Sequence, residues 1–307
     1  MFLNDAKHAY KMPLFQILFT WQRSASIFFL SSASLFYGLW RLGCLSDDLK
    51  VPPFPLAVIG GALGIFVSFR TNAAYQRWWE GRKLWGRMIN TSRHLCAQAI
   101  SYLPEDAARE VIHRHIAYVH TLRCALRDEA LQEDEHFKRV LAQEERDALV
   151  GSTNPNHALL MSQMRCFMEQ RRAGHLTEFC LSDLDSSVRH LLDIQGGSER
   201  IKKTPFPPAY GYLATALTRI YALFLPLALI HDTGGWVIPC TLIICLTFQL
   251  INEVGRVLEN PFLNIWPALP LSDISLTIER NLRDALGETD LPDPQPTMQI
   301  PSGYVLM

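Results

Sequence analysis

Val51–Phe69 reads VPPFPLAVIGGALGIFVSF, lies between Lys50 and Arg70, and contains no Lys, Arg, Asp or Glu. A helix that crosses a bilayer needs roughly 20 consecutive, mostly apolar residues, with about 17 the lower end. This run reaches that length, and three others do as well. Ser24–Trp40 (SASIFFLSSASLFYGLW) lies between Arg23 and Arg41, and Thr204–Ile230 is uncharged except for Arg219. Thr233–Asn252 (TGGWVIPCTLIICLTFQLIN) ends at Glu253. Trp21, Trp40 and Trp236 sit near the ends of these runs, where indole rings anchor a helix at the headgroup level. A soluble protein with buried core helices is the competing reading, and four such runs with tryptophans at their ends argue against it. The expectation is an all-α membrane protein with four transmembrane helices.

The totals conceal this segregation. Of 307 residues, 49% are hydrophobic and 19% charged, with a formal net charge of −1. A balance so near zero, without a Lys/Arg run, gives no electrostatic case for nucleic acid. Residues 1–23 precede the first apolar run and include the mostly apolar Met12–Trp21, with no small-residue cleavage site after the run. That run is therefore expected to stay attached rather than act as a signal peptide. Seven cysteines without a CxxC pair suggest neither a disulfide framework nor a zinc site; buried or lipid-facing thiols are the simple reading.

Residues 71–203 are too long for a loop and carry apolar residues at helical spacing in RWWEGRKLWGRMINTSRHLCAQAI and EVIHRHIAYVHTLRCALRDEAL. The expected organisation is an N-terminal arm and two spans (1–70), a cytoplasmic helical domain (71–203), two further spans (204–255) and a cytoplasmic C-terminal segment (256–307). Gly151, Asn154 and Pro155, and likewise Gly196 and Gly197, are expected to mark breaks between helices. Lys7, Lys11 and Arg23 precede the first span, Arg70, Arg77, Arg82, Lys83 and Arg87 follow the second, and Lys202 and Lys203 precede the third. The connector around His231 and Asp232 has no basic residue, and the first connector holds only Arg41 and Lys50. Positive residues stay on the cytoplasmic side, which places both termini and the middle domain there.

Within the second span Gly61, Ile65 and Phe69 are four apart and share one face. Packing against neighbours or lipid is the plain reading of such a stripe; a hydrophobic constriction that gates ions by dewetting is the functional one. Glycine and alanine in Gly60–Gly64 suit close helix approach in a membrane. Arg219 lies inside the third run, either within the span or snorkelling at its interface. His113, His115 and His120 share a predicted helix, but no acidic or thiol partner stands at ligand spacing, so no metal site is expected. Glu133, Asp134 and Glu135, with Glu144, Glu145 and Asp147, read as solvated surface. No P-loop, GxSxG or HExxH occurs, so neither an enzyme nor a cofactor is expected.

Two strings then carry a resemblance. Phe69–Gly86, FRTNAAYQRWWEGRKLWG, and Gln195–Tyr212, QGGSERIKKTPFPPAYGY, resemble segments of the bestrophin family in its bacterial branch. The short Leu258–Phe262 (LENPF) is similar to a third. The order and spacing agree over roughly Ile17–Leu286, and the residues that carry the match include Arg77, Trp78, Trp79, Glu80, Glu199, Arg200, Pro261 and Phe262. The resemblance implies a homopentamer around a central pore in the bacterial inner membrane, conducting small monovalent ions. It places a hydrophobic neck at Gly61, Ile65 and Phe69, and a cytoplasmic aperture at Phe179, or at Cys180 if the register slips by one. Gly61 departs from the bulky apolar residue usual there, which suggests a wider outer mouth. Animal members bind calcium through an acidic cluster after Asn-Pro-Phe, whereas here Asp273 is the first acid after Glu259. Calcium takes about six to eight oxygen ligands, so no calcium activation is expected at that segment. Ion sign stays open, since hydrophobic rings carry no charge preference and the family includes chloride channels and monovalent-cation relatives. A transporter, or a scaffold whose helical domain binds a partner, is the alternative; no intramembrane acid pair favours proton-coupled transport.

Overall fold

The computed structural model describes residues 23–45, 52–263 and 268–293. Lys7, Lys11, Trp21, Lys50 and Val51 lie outside the described residues. All regular structure among the described residues is helical: α1 Arg23–Arg41, α2 Pro53–Tyr102, α3 Glu105–Arg127, α4 Glu135–Val140, α5 Gln143–Val150, α6 Pro155–Arg172, α7 Glu178–Lys203, α8 Pro208–Thr233, α9 Val237–Leu258 and α10 Leu271–Ala285. Short 3-10 turns occupy Leu131–Glu133 and Gly234–Trp236.

Contacts divide the chain into two units, the first holding residues 23–78 and 205–261 and the second residues 79–204 with the described part of 262–293. In the first, α1, α8 and α9 pack on one another and on the N-terminal part of α2. Its core gathers Phe29, Leu56, Leu63, Val67, Tyr221, Leu225, Cys245 and Leu246. Small residues allow close approach: a Cβ on Gly60 would lie 2.8 Å from the Tyr221 hydroxyl, which is the packing that membrane helices favour. By length and composition two helical stretches can cross a membrane, Pro53–Tyr102 and Pro208–Leu258. The second contains both α8 and α9, with the tight turn at Gly234–Trp236 between them. At 19 residues, α1 extends about 28 Å.

The second span and the helical segment that follows it form one helix, α2, of 50 residues. Pro53 opens it, where a missing N–H costs nothing, and residues 54–102 contain no further proline except Pro55 in that same first turn.

In the second unit α3 is the central rod. Nearly every residue from Val111 to Leu126 is buried, packed by α4, α6, α7 and α10. Trp85, Met88 and Leu95 of α2 lie in the same unit and are fully buried. The expected break at Gly151–Pro155 is present: α5 ends at Val150, and the Asn154 side chain accepts from the His157 N–H at 3.1 Å with Pro155 in the first turn. The expected break at Gly196–Gly197 is not. α7 runs through both glycines to Lys203. A Cβ at Gly197 would meet Leu84 Cδ2 at 2.8 Å, while one at Gly196 would meet nothing within 4 Å. Gly197 therefore serves close packing of α7 on α2.

Candidate functional site

The membrane half of α2 has two unlike faces. Leu56, Gly60, Leu63, Val67, Arg70 and Ala74 recur at three- and four-residue steps and are buried. Opposite them, Phe54 is 77% exposed, Val58 57%, Ile65 60% and Phe69 70%. Gly61 lies on this exposed face with no atom near its missing Cβ. So large an apolar stripe on one protomer requires a cover, whether lipid, another chain or a dewetted lumen. The three expected neck residues share it.

Phe179 is the second residue of α7 and is 85% exposed. Thr177 caps this helix, its hydroxyl accepting from the Cys180 N–H at 3.2 Å and donating to Cys180 Sγ at 3.1 Å. Leu176 is buried on one side of the cap. The buried face of α7 begins at Leu184 and continues through Ser187, Val188 and Leu191. Phe179 stands off that face, in line with exposed Ser182, Asp183 and Ser186.

The motif residues are spread along the chain. Arg77 Nε donates to the Glu259 carbonyl at 2.6 Å. Trp78 stacks on Tyr75 with ring centres 6.1 Å apart, and Trp79 is partly exposed. Glu80 pairs with Lys83 at 2.7 Å; that hydrogen bond, with Arg87 and Arg200 nearby, holds its carboxyl below the usual range. Glu199 accepts from Gln195 at 2.7 Å and from Lys203 at 2.9 Å. Burial opposes its ionisation, yet these partners keep its pKa lowered. Pro261 and Phe262 are buried. Arg219 lies well inside α8 and is exposed on the protomer.

Two constellations were not singled out from sequence. The first is a polar lock on α2. Arg70, only 3% exposed, donates through Nη1 to the Asn252 carbonyl at 3.2 Å and to its side-chain oxygen, and through Nη2 to the Glu259 carboxylate. The signal available was its register: Arg70 continues the Leu63 and Val67 stripe. The second lies between α3, α4 and α10. His120 Nε2 and His136 Nδ1 both meet Glu279, at 3.0 and 2.7 Å, and the two rings stack 4.6 Å apart. Their ligand atoms lie within 4.8 Å of one another, close enough to consider a metal ion. A ligating histidine, however, donates its other N–H to an acceptor. Here Arg123 Nη1, a donor, faces His120 Nδ1 at 3.1 Å, and Arg139 and Arg283 stand 3.7 and 3.5 Å from Glu279. The arrangement suits a hydrogen-bonded carboxylate better than a cation cage. Burial opposes ionisation of Glu279, but the two histidine hydrogen bonds outweigh it and hold its pKa far below the usual range. Histidine spacing gave no hint of this, because Glu279 arrives from another helix.

An all-helical fold, long apolar helices and a helix face of exposed apolar side chains define an integral membrane protein. Residues 15–284 match the family described as "Bacterial/Fungal Bestrophin protein", and the chain belongs to that family. It is 35% identical over 236 residues to the voltage-dependent anion channel-forming protein mll4386 of Mesorhizobium japonicum, covering 76% of this chain and 75% of that one. It is 31% identical over 245 residues to the voltage-dependent anion channel-forming protein YneE of Escherichia coli K12, covering 80% of each. The crystal structure of a bacterial bestrophin homologue from Klebsiella pneumoniae superposes with a TM-score of 0.79 at 28% identity, over 86% of this chain and 97% of that chain.

Proposed function

We propose that this protein is a homopentameric ion channel of the bacterial inner membrane that passes small monovalent ions. The observation that carries the reading is the exposed stripe on α2, Gly61, Ile65 and Phe69, opposite a fully packed face. Repeated around an axis, one such stripe per protomer forms stacked hydrophobic rings, which pass or block ions according to their width and wetting. Phe179 forms a second ring at the cytoplasmic aperture. In this reading α1, the membrane half of α2, α8 and α9 are the four spans, with both termini cytoplasmic. The related proteins named as anion channel-forming support conduction and favour anions. The segment after Phe262 lacks the acids of a calcium site, so gating there is independent of calcium.

The test uses purified full-length protein in detergent and in planar bilayers. A detergent-corrected mass of five chains, and currents whose reversal potential moves with a salt gradient, are the expected results. A monomer or dimer, or a pentamer that passes no current, refutes the reading.

A further inference from the structure

Hydrophobic rings leave open what decides ion sign. On the reading of Ile65 and Phe69 as the neck, the nearest fixed charges decide it, and the structure supplies one pair directly behind Phe69. We propose that Arg70 and Glu259 are a charge-balancing pair that neutralise each other behind the neck, so that loss of either charge alone shifts its anion-to-cation preference.

Arg70 follows Phe69 in sequence and points about 100° away around the helix, into the packed interior of its unit. It is the buried cation among the described residues of the membrane half of α2. Glu259, whose side chain is 23% exposed, takes Nη2, while both oxygen atoms of Asn252 take Nη1. Asn252 is held in turn, its Nδ2 donating to Thr215 Oγ1 at 3.3 Å. Thr71 Oγ1 donates to the Ile251 carbonyl at 3.1 Å, which fixes α2 against α9 one residue further on. The other charges near the pair are Arg77, whose Nε reaches the Glu259 main-chain carbonyl, and Glu253 and Arg256, which pair with each other on α9.

A buried charge is screened by salt far less than an exposed one. A tight pair, by contrast, presents mainly a dipole, whose field falls off quickly. While Arg70 and Glu259 remain paired, the pair itself adds little net potential behind Phe69. Removing either partner leaves an uncompensated charge, and the ring repeats it in every protomer. The two single variants must therefore shift selectivity in opposite directions, which loss of a merely structural contact does not do.

The experiment measures relative chloride and sodium permeability from reversal potentials of the full-length protein in planar bilayers. Glu259→Gln keeps the shape of the side chain and leaves Arg70 its two Asn252 acceptors. It is expected to raise chloride over sodium permeability by ~tenfold, the scale of several like charges acting through protein. Arg70→Met is expected to shift the ratio toward sodium, by less, since Arg77 remains beside Glu259. The double variant Arg70→Met/Glu259→Gln holds neither charge and is expected within about twofold of the parent, again on Coulombic grounds. Where Arg70→Met alone fails to assemble, Glu259→Gln and the double variant decide. An unchanged ratio in an assembled Glu259→Gln channel, a double variant as anion-selective as Glu259→Gln, or single variants that shift the same way overturn the proposal. An unmodified protein that assembles but conducts nothing refutes the channel reading instead.

Discussion

Ile65 is 60% exposed while Leu63 and Val67, two residues to either side, are 3% and 1% exposed. Alternation of that kind on one helix was legible in the sequence, because a period near 3.6 separates the faces before any coordinates exist. Trimming the exposed stripe should therefore change permeation more than folding. Ile65→Ala widens and wets the proposed neck, and single-channel conductance should rise ~threefold or more; an unchanged conductance in assembled channels would remove Ile65 from the neck. Arg70 was not legible in the same way. A charge that ends an apolar run usually stands in solvent; its register with Leu63 and Val67 was the one hint of burial, and its partners Asn252 and Glu259 are brought up by α9 and the turn after it. The histidines of α3 teach the same lesson. His115, weighed from sequence only as a metal ligand, is fully buried, with Nε2 2.8 Å from Ser92 Oγ. Burial pushes its pKa down to about 3 from 6.5. Below pH 6.5 the unfolded chain takes up a proton that the folded domain refuses until about pH 3. Stability is thus fully present above that window and falls as the pH drops through it, by up to about 1.4 kcal/mol per pH unit. His115→Gln should flatten the fall in melting temperature between pH 7 and pH 4, and identical slopes would exclude His115 as its source.

At the scale of elements, the helices were legible where local chemistry governs and misread where packing does. Asn154 followed by Pro155 is a helix start by local rule, and α6 begins there. The Gly196–Gly197 pair looked like a stop because glycine lowers helix propensity by about 1 kcal/mol. α7 nevertheless continues, since its buried face from Leu184 to Ile201 stabilises the helix by more than two glycines weaken it. The two glycines should then respond oppositely to one methyl group. Gly197→Ala drives a Cβ to 2.8 Å from Leu84, and overpacking of this kind costs about 1–3 kcal/mol. Gly196→Ala meets open space and should be neutral or stabilising by up to about 1 kcal/mol. Thermal unfolding of the two variants in one detergent checks this. A Gly197→Ala protein as stable as the parent would mean that α7 and α2 separate more easily than their packing suggests. The continuity of α2 shows the reverse case. The expected domain boundary after residue 70 marks a change from apolar to charged residues, and composition changes environment without interrupting hydrogen bonds from each turn to the next.

For the whole molecule, fold class was legible because four long apolar runs, the third interrupted only by Arg219, flank a charged insert and constrain an all-helical membrane protein strongly, while the proposed aperture rests on the proposed assembly. Phe179 and Cys180 are neighbours, and a slip of one residue exchanges them in any ring. The protomer distinguishes them by what each side chain already does. Cys180 receives a hydrogen bond from the Thr177 hydroxyl at 3.1 Å, and its N–H is held in the same cap. Phe179, at 85% exposure, presents a large apolar ring that α7 does not use for its own packing. An unused aromatic near a helix start, repeated around an axis, makes a constriction that sorts ions by size and ease of dehydration rather than by sign. Phe179→Ala should therefore raise the permeability of large monovalent ions relative to chloride by ~threefold or more, with the oligomer intact. It should leave the chloride-to-sodium ratio nearly unchanged, in contrast to Glu259→Gln. The register is settled with thiol reagents applied from the cytoplasmic side. Phe179→Cys in a Cys180→Ser background should react quickly and block current, while the native Cys180, with Phe179 in place, should react slowly. The reverse order of rates would transfer the aperture to Cys180, and it would require the helix cap at Thr177 to open in the assembled channel.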